Sequence, residues 1–130
     1  MSLSNSSKKK VLIADDEPHI LELVKISLEP DQYEVLQASD GEQALRLALQ
    51  NVPDLILLDV QMPKMDGYQV CSALRSNGKT RSIPIYILSG KDKPADKEKG
   101  RASGATAYLT KPFSPTKLLA FVRESLKKDA

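Results

Sequence analysis

Val11-Leu12-Ile13-Ala14, Leu55-Ile56-Leu57-Leu58 and Ile85-Tyr86-Ile87-Leu88 are the stretches on which the fold turns. Each is a continuous run of four apolar residues with no polar interruption. A strand buried on one face alternates apolar and polar residues. One buried on both faces, as in a parallel sheet covered by helices, reads apolar throughout. Two weaker candidates complete the set. Tyr33 to Ala38 mixes Glu34 and Gln37 with Val35 and Leu36, which suits a sheet edge, and Ala107-Tyr108-Leu109 is shorter still.

Between the runs the apolar spacing becomes helical. Pro18 opens a segment with Ile20, Leu23, Val24 and Leu28 on one face. Asp40 is an N-cap with Gln43 three residues on, ahead of a stripe of Leu45, Ala48, Leu49 and Val52. Gly67 to Ser76 presents Val70, Cys71 and Leu74, and Asp66 before it reads as a further N-cap. Ser114 and Pro115 cap and open a last helix bearing Leu118, Phe121, Val122 and Leu126. The segment Lys93 to Ser103 is the poorest helix, with Pro94, Gly100 and little that is apolar. Strand and helix thus alternate five times, which requires right-handed crossovers and a parallel sheet with helices on both faces. With the three apolar runs central and the two weak ones at the edges, the expected architecture is an α/β, flavodoxin-like (βα)5 three-layer sandwich in strand order 2-1-3-4-5.

The whole chain has 130 residues, and a chain of this length buries roughly 67% of its unfolded surface, enough for one domain without staples. Nineteen basic against seventeen acidic side chains leave +2, too balanced for nucleic-acid binding by bulk charge. One cysteine, Cys71, excludes a disulfide framework and a multi-cysteine zinc site, and one histidine, His19, excludes a histidine-rich metal site. No apolar run approaches the ~18 residues of a membrane helix. These features fit a cytoplasmic domain without a membrane anchor. Residues 1–8, Ser-rich and then basic, read as a disordered tail, with the domain spanning 9–128.

In this architecture ligands bind beyond the carboxyl ends of the strands. There the chain places Asp15-Asp16-Glu17, Asp59, Ser89-Gly90 and Thr110-Lys111-Pro112. Two carboxylates ~4 Å apart repel by roughly 4 kcal/mol at an effective dielectric of 20. Asp15, Asp16 and Asp59 against Lys111 leave a charge of −2, which a divalent cation neutralises. Oxygen ligands in a half-open site favour Mg²⁺. The acidic first loop would repel the phosphate of a flavin, so a flavodoxin-type cofactor site is not expected.

Asp15-Asp16-Glu17-Pro18, Leu57-Leu58-Asp59-Val60-Gln61-Met62-Pro63-Lys64-Met65-Asp66-Gly67, Ser89-Gly90 and Tyr108-Leu109-Thr110-Lys111-Pro112-Phe113 together resemble the receiver domain of two-component response regulators. The resemblance implies that Asp59 accepts a phosphoryl group from a sensor histidine kinase or phosphotransfer protein, as an acyl phosphate. It implies Mg²⁺, with Mn²⁺ as a substitute, held by Asp16, Asp59 and the backbone carbonyl of Gln61, with Asp15 acting through water. Lys111 and Ser89 would hold phosphoryl oxygens. Ser89 and Tyr108 would be the switch pair, reshaping the face made by the fourth helix, fifth strand and fifth helix toward a partner or an effector domain. A cis bond between Lys111 and Pro112 is also implied. Such a domain catalyses its own phosphorylation and slow dephosphorylation without being a turnover enzyme. It binds no nucleic acid directly and is a monomer that can dimerise when phosphorylated.

Ser89 stands where many members have Thr, keeping the hydroxyl and losing the methyl. The resemblance implies that Gln61 and Lys91, two residues beyond Asp59 and Ser89, would flank the path of an attacking water. His19 reads as solvated, Cys71 as core, and Lys91, Lys93, Lys97, Lys99 and Arg101 as a solvated helix face whose basic bias would suit an acidic partner. A haloacid-dehalogenase-like phosphatase would need an Asp where Gln61 stands. An interaction module that kept the fold without phosphorylation would be marked by loss of Asp59 or Lys111, and both are present.

Overall fold

The computed structural model describes residues 8–90 and 94–127. The tail at 1–7, Lys91, Asp92, Lys93 and the expected domain end at Lys128 lie outside them. Five strands, β1 (Lys10–Ala14), β2 (Glu34–Ala38), β3 (Leu55–Asp59), β4 (Ile85–Ser89) and β5 (Ala107–Thr110), form one parallel sheet in the order β2-β1-β3-β4-β5. The helices are α1 (Pro18–Leu28), α2 (Gly41–Asn51), α3 (Gly67–Arg75), α4 (Pro94–Ala102) and α5 (Pro115–Lys127), and a short 3-10 turn, Glu29–Asp31, follows α1.

The continuous apolar runs are explained by the two faces they serve. Leu12, Ile56, Leu58, Ile85 and Ile87 point to one face and pack with Ala44 and Ala48 of α2 and Val70, Cys71 and Leu74 of α3. Their neighbours Val11, Ile13, Leu55, Leu57, Tyr86 and Leu88 point to the other, against Val24 and Leu28 of α1 and Leu118, Val122 and Leu126 of α5. Each such fully buried aliphatic side chain contributes about 1.5–3 kcal/mol. Tyr86 belongs to this core, with its ring edge-on to Phe121 at 6.1 Å. Cys71 is buried, and burial pushes its thiol up, so it is a packing residue.

The caps stand where the polar residues predict. Asp66 accepts from Gln69 N–H while the Gln69 side chain accepts from Asp66 N–H, a complete capping box. Ser114 Oγ accepts from Lys117 N–H at 3.0 Å. At α2, Asp40 caps Gln43 N–H at 2.8 Å, but the Gln43 side chain reaches back one residue further, to Ser39 N–H. Val52 departs from its expected place in the α2 stripe. It is the C-cap, left-handed at φ 45°, and exposed. A β-branched residue there is strained. Val52→Asn is therefore expected to raise the melting temperature by about 2–4 °C, from roughly 0.5–1 kcal/mol of relieved strain; a fall in thermal unfolding would contradict this.

Arg75, at the end of α3, ties distant segments together. Its guanidinium donates to the carbonyls of Gly104 (2.8 Å), Arg81 (2.7 Å) and Ile83 (2.6 Å) and to Thr106 Oγ1 (3.2 Å). It thereby fixes the entry to β4 and the turn between α4 and β5. No helix among the described residues is long and apolar enough to cross a membrane.

Candidate functional site: an acidic cleft at the strand ends

The carboxyl ends of β1, β3, β4 and β5 deliver the predicted residues to one cleft of about 400 Å³, lined by Asp16, Glu17, Asp59, Gln61, Ser89, Gly90 and Lys111. Asp15, wholly buried beneath it, accepts from Glu17 N–H at 2.9 Å, which aims its second oxygen at Lys111. Lys111 Nζ lies 2.8 Å from Asp15 Oδ2 and 3.1 Å from Asp59 Oδ1, with Glu17 Oε1 at 3.6 Å. The Lys111-Pro112 bond is cis. Lys111 N–H also donates to the Ser89 carbonyl at 2.7 Å, joining the fourth and fifth strand ends at the site.

Asp59 is held from behind. Gly67 N–H donates to the Val60 carbonyl at 2.9 Å, and a Cβ on Gly67 would collide with the Asp59 carbonyl. Only glycine lets α3 start this close to the strand end. The Asp-Gly pair at 66 and 67 therefore serves the site as well as the helix, a role the sequence reading did not assign. Glu17 was likewise outside the expected site set, although its place beside two aspartates was the available signal.

The electrostatics have one centre. Burial first, and then the charge of Asp15, push the Asp59 carboxyl up to about 6, with Lys111 holding it back. Burial alone would lower the Lys111 ammonium, but its hydrogen bond to Asp15 and the charge of Asp59 outweigh this and hold it above its usual range. The buried Asp15 contributes to both directions, since it repels Asp59 and attracts Lys111. Asp15, Asp16 and Asp59 each place a carboxylate oxygen within 4.8 Å of the others, a set suited to a hard divalent cation.

Of the other candidates, Tyr108 and Ser89 lie on the same face of the sheet, on neighbouring strands where Ile87 pairs with Tyr108 and Ser89 with Thr110. Gln61 lines the cleft. His19 is exposed, and Asp66 is occupied as the α3 cap.

A family model for the response regulator receiver domain matches residues 11–123. The chain belongs to this family. It is a receiver domain of two-component signalling, and its acidic cleft is consistent with a phosphoacceptor site. The alkaline phosphatase synthesis transcriptional regulatory protein PhoP of Bacillus subtilis is 46% identical over 120 residues, which cover 92% of this chain and 49% of PhoP. The chain thus spans about half the length of the curated relatives it matches. The chemotaxis protein CheY4 of Vibrio cholerae superposes with a TM-score of 0.87 at 38% identity, over 92% of this receiver and all of that chain. The receiver domain of the sensor histidine kinase PA1611 of Pseudomonas aeruginosa superposes at 0.85 and 28% identity, over 93% and 99% of the two chains, and holds a magnesium ion in its active-site cleft.

Proposed function

We propose that this receiver takes a phosphoryl group from the phosphohistidine of a sensor kinase or phosphotransfer protein onto Asp59. In that step an Asp59 carboxylate oxygen bonds to phosphorus, the P–N bond breaks, and the imidazole leaves with a proton from water. The single observation that carries this reading is Lys111 bridging the buried Asp15 and the nucleophile Asp59, at 2.8 and 3.1 Å, in a cleft that Asp16 and Ser89 also reach.

Mg²⁺ is the cation this donor set fits, with Asp16, Asp59 and the Gln61 carbonyl as ligands and Asp15 acting through water; when bound it neutralises charge on the transferring oxygens. Mn²⁺ would substitute. Lys111 and the Ser89 hydroxyl each bind a phosphoryl oxygen, which is the positioning and charge neutralisation that phosphoryl transfer asks of a protein. Phosphorylation turns the single charge of Asp59 into about two. The surplus draws Ser89 and Lys111 inward, Tyr108 follows Ser89, and the face of α4, β5 and α5 changes toward a partner or an output domain. Couplings of this kind amount to ~1–3 kcal/mol, a shift of populations. The bound phosphoryl group is lost by slow hydrolysis, and no substrate is turned over.

The functional unit is residues 9–128, monomeric at rest and able to dimerise when phosphorylated, acting in the cytoplasm. An apolar recess of about 360 Å³ formed by Ile20, Leu23, Pro112 and Phe113 opens beside Gly90 and Lys111, where a donor protein has to seat itself to present its phosphohistidine.

Incubation with a small acyl phosphate and Mg²⁺, read by intact mass, is expected to yield one phosphoryl adduct that is absent with chelator. No adduct on folded protein, at any donor concentration, would overturn the reading.

A further inference from the structure

α4 carries a glycine at its one buried position among the described residues. Gly100 is buried, and a Cβ built on it would lie 3.2 Å from Cδ2 and 3.6 Å from Cε2 of the Tyr108 ring, and 3.8 Å from Ile87 Cγ1. Glycine is the poorest helix former after proline. α4 is also the helix that contributes no side chain to either core cluster among the described residues. A helix with so little to hold it gains from alanine at 100 unless the space is needed, and the group nearest to that space is the Tyr108 ring. Tyr68 of α3 meets both α4 and Tyr108. Its hydroxyl donates to the Asp96 carbonyl of α4 at 3.3 Å, its ring lies under the Lys99 ammonium at 5.1 Å, and its phenol, partly buried and in hydrogen-bond contact with Tyr108, is pushed up to about 12.

We propose that Gly100 and Tyr68 form a seat that holds the Tyr108 ring turned in beneath α4, so that the glycine notch sets the balance of the Ser89–Tyr108 switch. The inference rests on the switch assigned under the proposed function. The ring is half-buried against Gly100 of α4 on the face of the sheet that carries Ser89, and in the proposed seat this is the turned-in pose that phosphorylation would favour. Filling the notch penalises that pose. By linkage, anything that disfavours the turned-in ring must weaken the ligand that favours it. Gly100 and Tyr68 are positioning residues and touch no reacting atom.

Two measurements on the full chain test this. Gly100→Ala is expected to raise the melting temperature by about 3 °C in a Tyr108→Ala background, where only helix propensity acts, and to give no rise or a fall in the wild-type background. An equal rise in both backgrounds would overturn the seat. The second measurement titrates Mg²⁺ and beryllofluoride, a stable phosphoryl mimic, and follows the ring NMR signals of labelled tyrosine, with Tyr108 assigned through Tyr108→Phe. Half-saturation is expected at a concentration at least threefold higher in Gly100→Ala than in wild type, with a smaller shift in the same sense for Tyr68→Phe. An unchanged or lower half-saturation in Gly100→Ala would overturn the claim that the seat sets the switch. A wild-type Tyr108 signal that ignores beryllofluoride while fluorine NMR shows it bound would overturn the switch assignment itself, and the thermal cycle then decides the seat separately.

Discussion

Asp59→Asn is expected to abolish the phosphoryl adduct and, in the same protein, to raise the melting temperature of the metal-free domain by about 3–10 °C at pH 7.5. The two effects share one cause. Burial and the neighbouring Asp15 raise the Asp59 carboxyl from its ordinary 3.8 to about 6. For an acid whose pKa is raised on folding, the favourable contribution is complete below the ordinary value and is lost as pH rises through the folded one. At neutral pH the ionised Asp59 is therefore a net cost. A shift of about two units is roughly 3 kcal/mol at full value, and screening by water in the open cleft reduces it to about 1–2 kcal/mol. A domain of this size converts each kcal/mol to roughly 3–5 °C. The advantage of the amide should vanish near pH 4, where both side chains are neutral, and grow between pH 4 and 7. Saturating Mg²⁺ should narrow it by stabilising the wild type selectively. A wild-type domain that is the more stable of the two at pH 7.5 with chelator would contradict this electrostatic account.

Lys111→Ala is the substitution expected to destabilise most. It leaves the wholly buried Asp15 and the nearly buried Asp59 facing each other without the ammonium that bridges them at 2.8 and 3.1 Å. Removing one partner of a buried pair costs about 3–5 kcal/mol, because the remaining charge keeps its desolvation penalty. Asp59 can take up a proton, which limits the loss to about 3 kcal/mol at pH 7.5, or roughly 10–15 °C. The deficit should shrink toward pH 5 and shrink again on adding Mg²⁺. Lys111→Met, which restores most of the aliphatic stem, should recover little, since the charge and not the packing is missing. Calorimetric unfolding across pH decides it: a loss below 1 kcal/mol, or one that Lys111→Met fully restores, would show that the ion pairs contribute little.

The elements that could be read from residues alone are those with local causes. Val11 to Ala14, Leu55 to Leu58 and Ile85 to Leu88 declare a doubly covered sheet because every side chain on them is buried. Asp40, Asp66 and Ser114 declare helix starts because each caps a donor three residues on. The cleft was legible for the same reason, since the fold puts strand ends on one rim and Asp15, Asp16, Asp59, Ser89 and Lys111 stand at strand ends. What could not be read has non-local causes. Arg75 finds partners as far as 31 residues away, and its carbonyl acceptors carry no side-chain signal. Gly67 looks like a helix start until the Asp59 carbonyl is seen beside it. Gly100 looks like a defect in a weak helix until the Tyr108 ring is found in the space it leaves. Val52 fits the helical stripe by spacing, yet the chain must turn there to enter Pro53 and β3, and the side chain is carried out to solvent.

The central claim is that Asp59 is the phosphoacceptor, and the most direct measurement locates the phosphoryl group chemically. Borohydride reduces an acyl phosphate and converts the modified aspartate to homoserine, a mass change that survives proteolysis. After treatment with a small acyl phosphate and Mg²⁺, the modification is expected at position 59 alone, with Asp15, Asp16 and Asp66 untouched. Modification at any other carboxylate, or none in a protein shown to be folded and metal-loaded, would contradict the account.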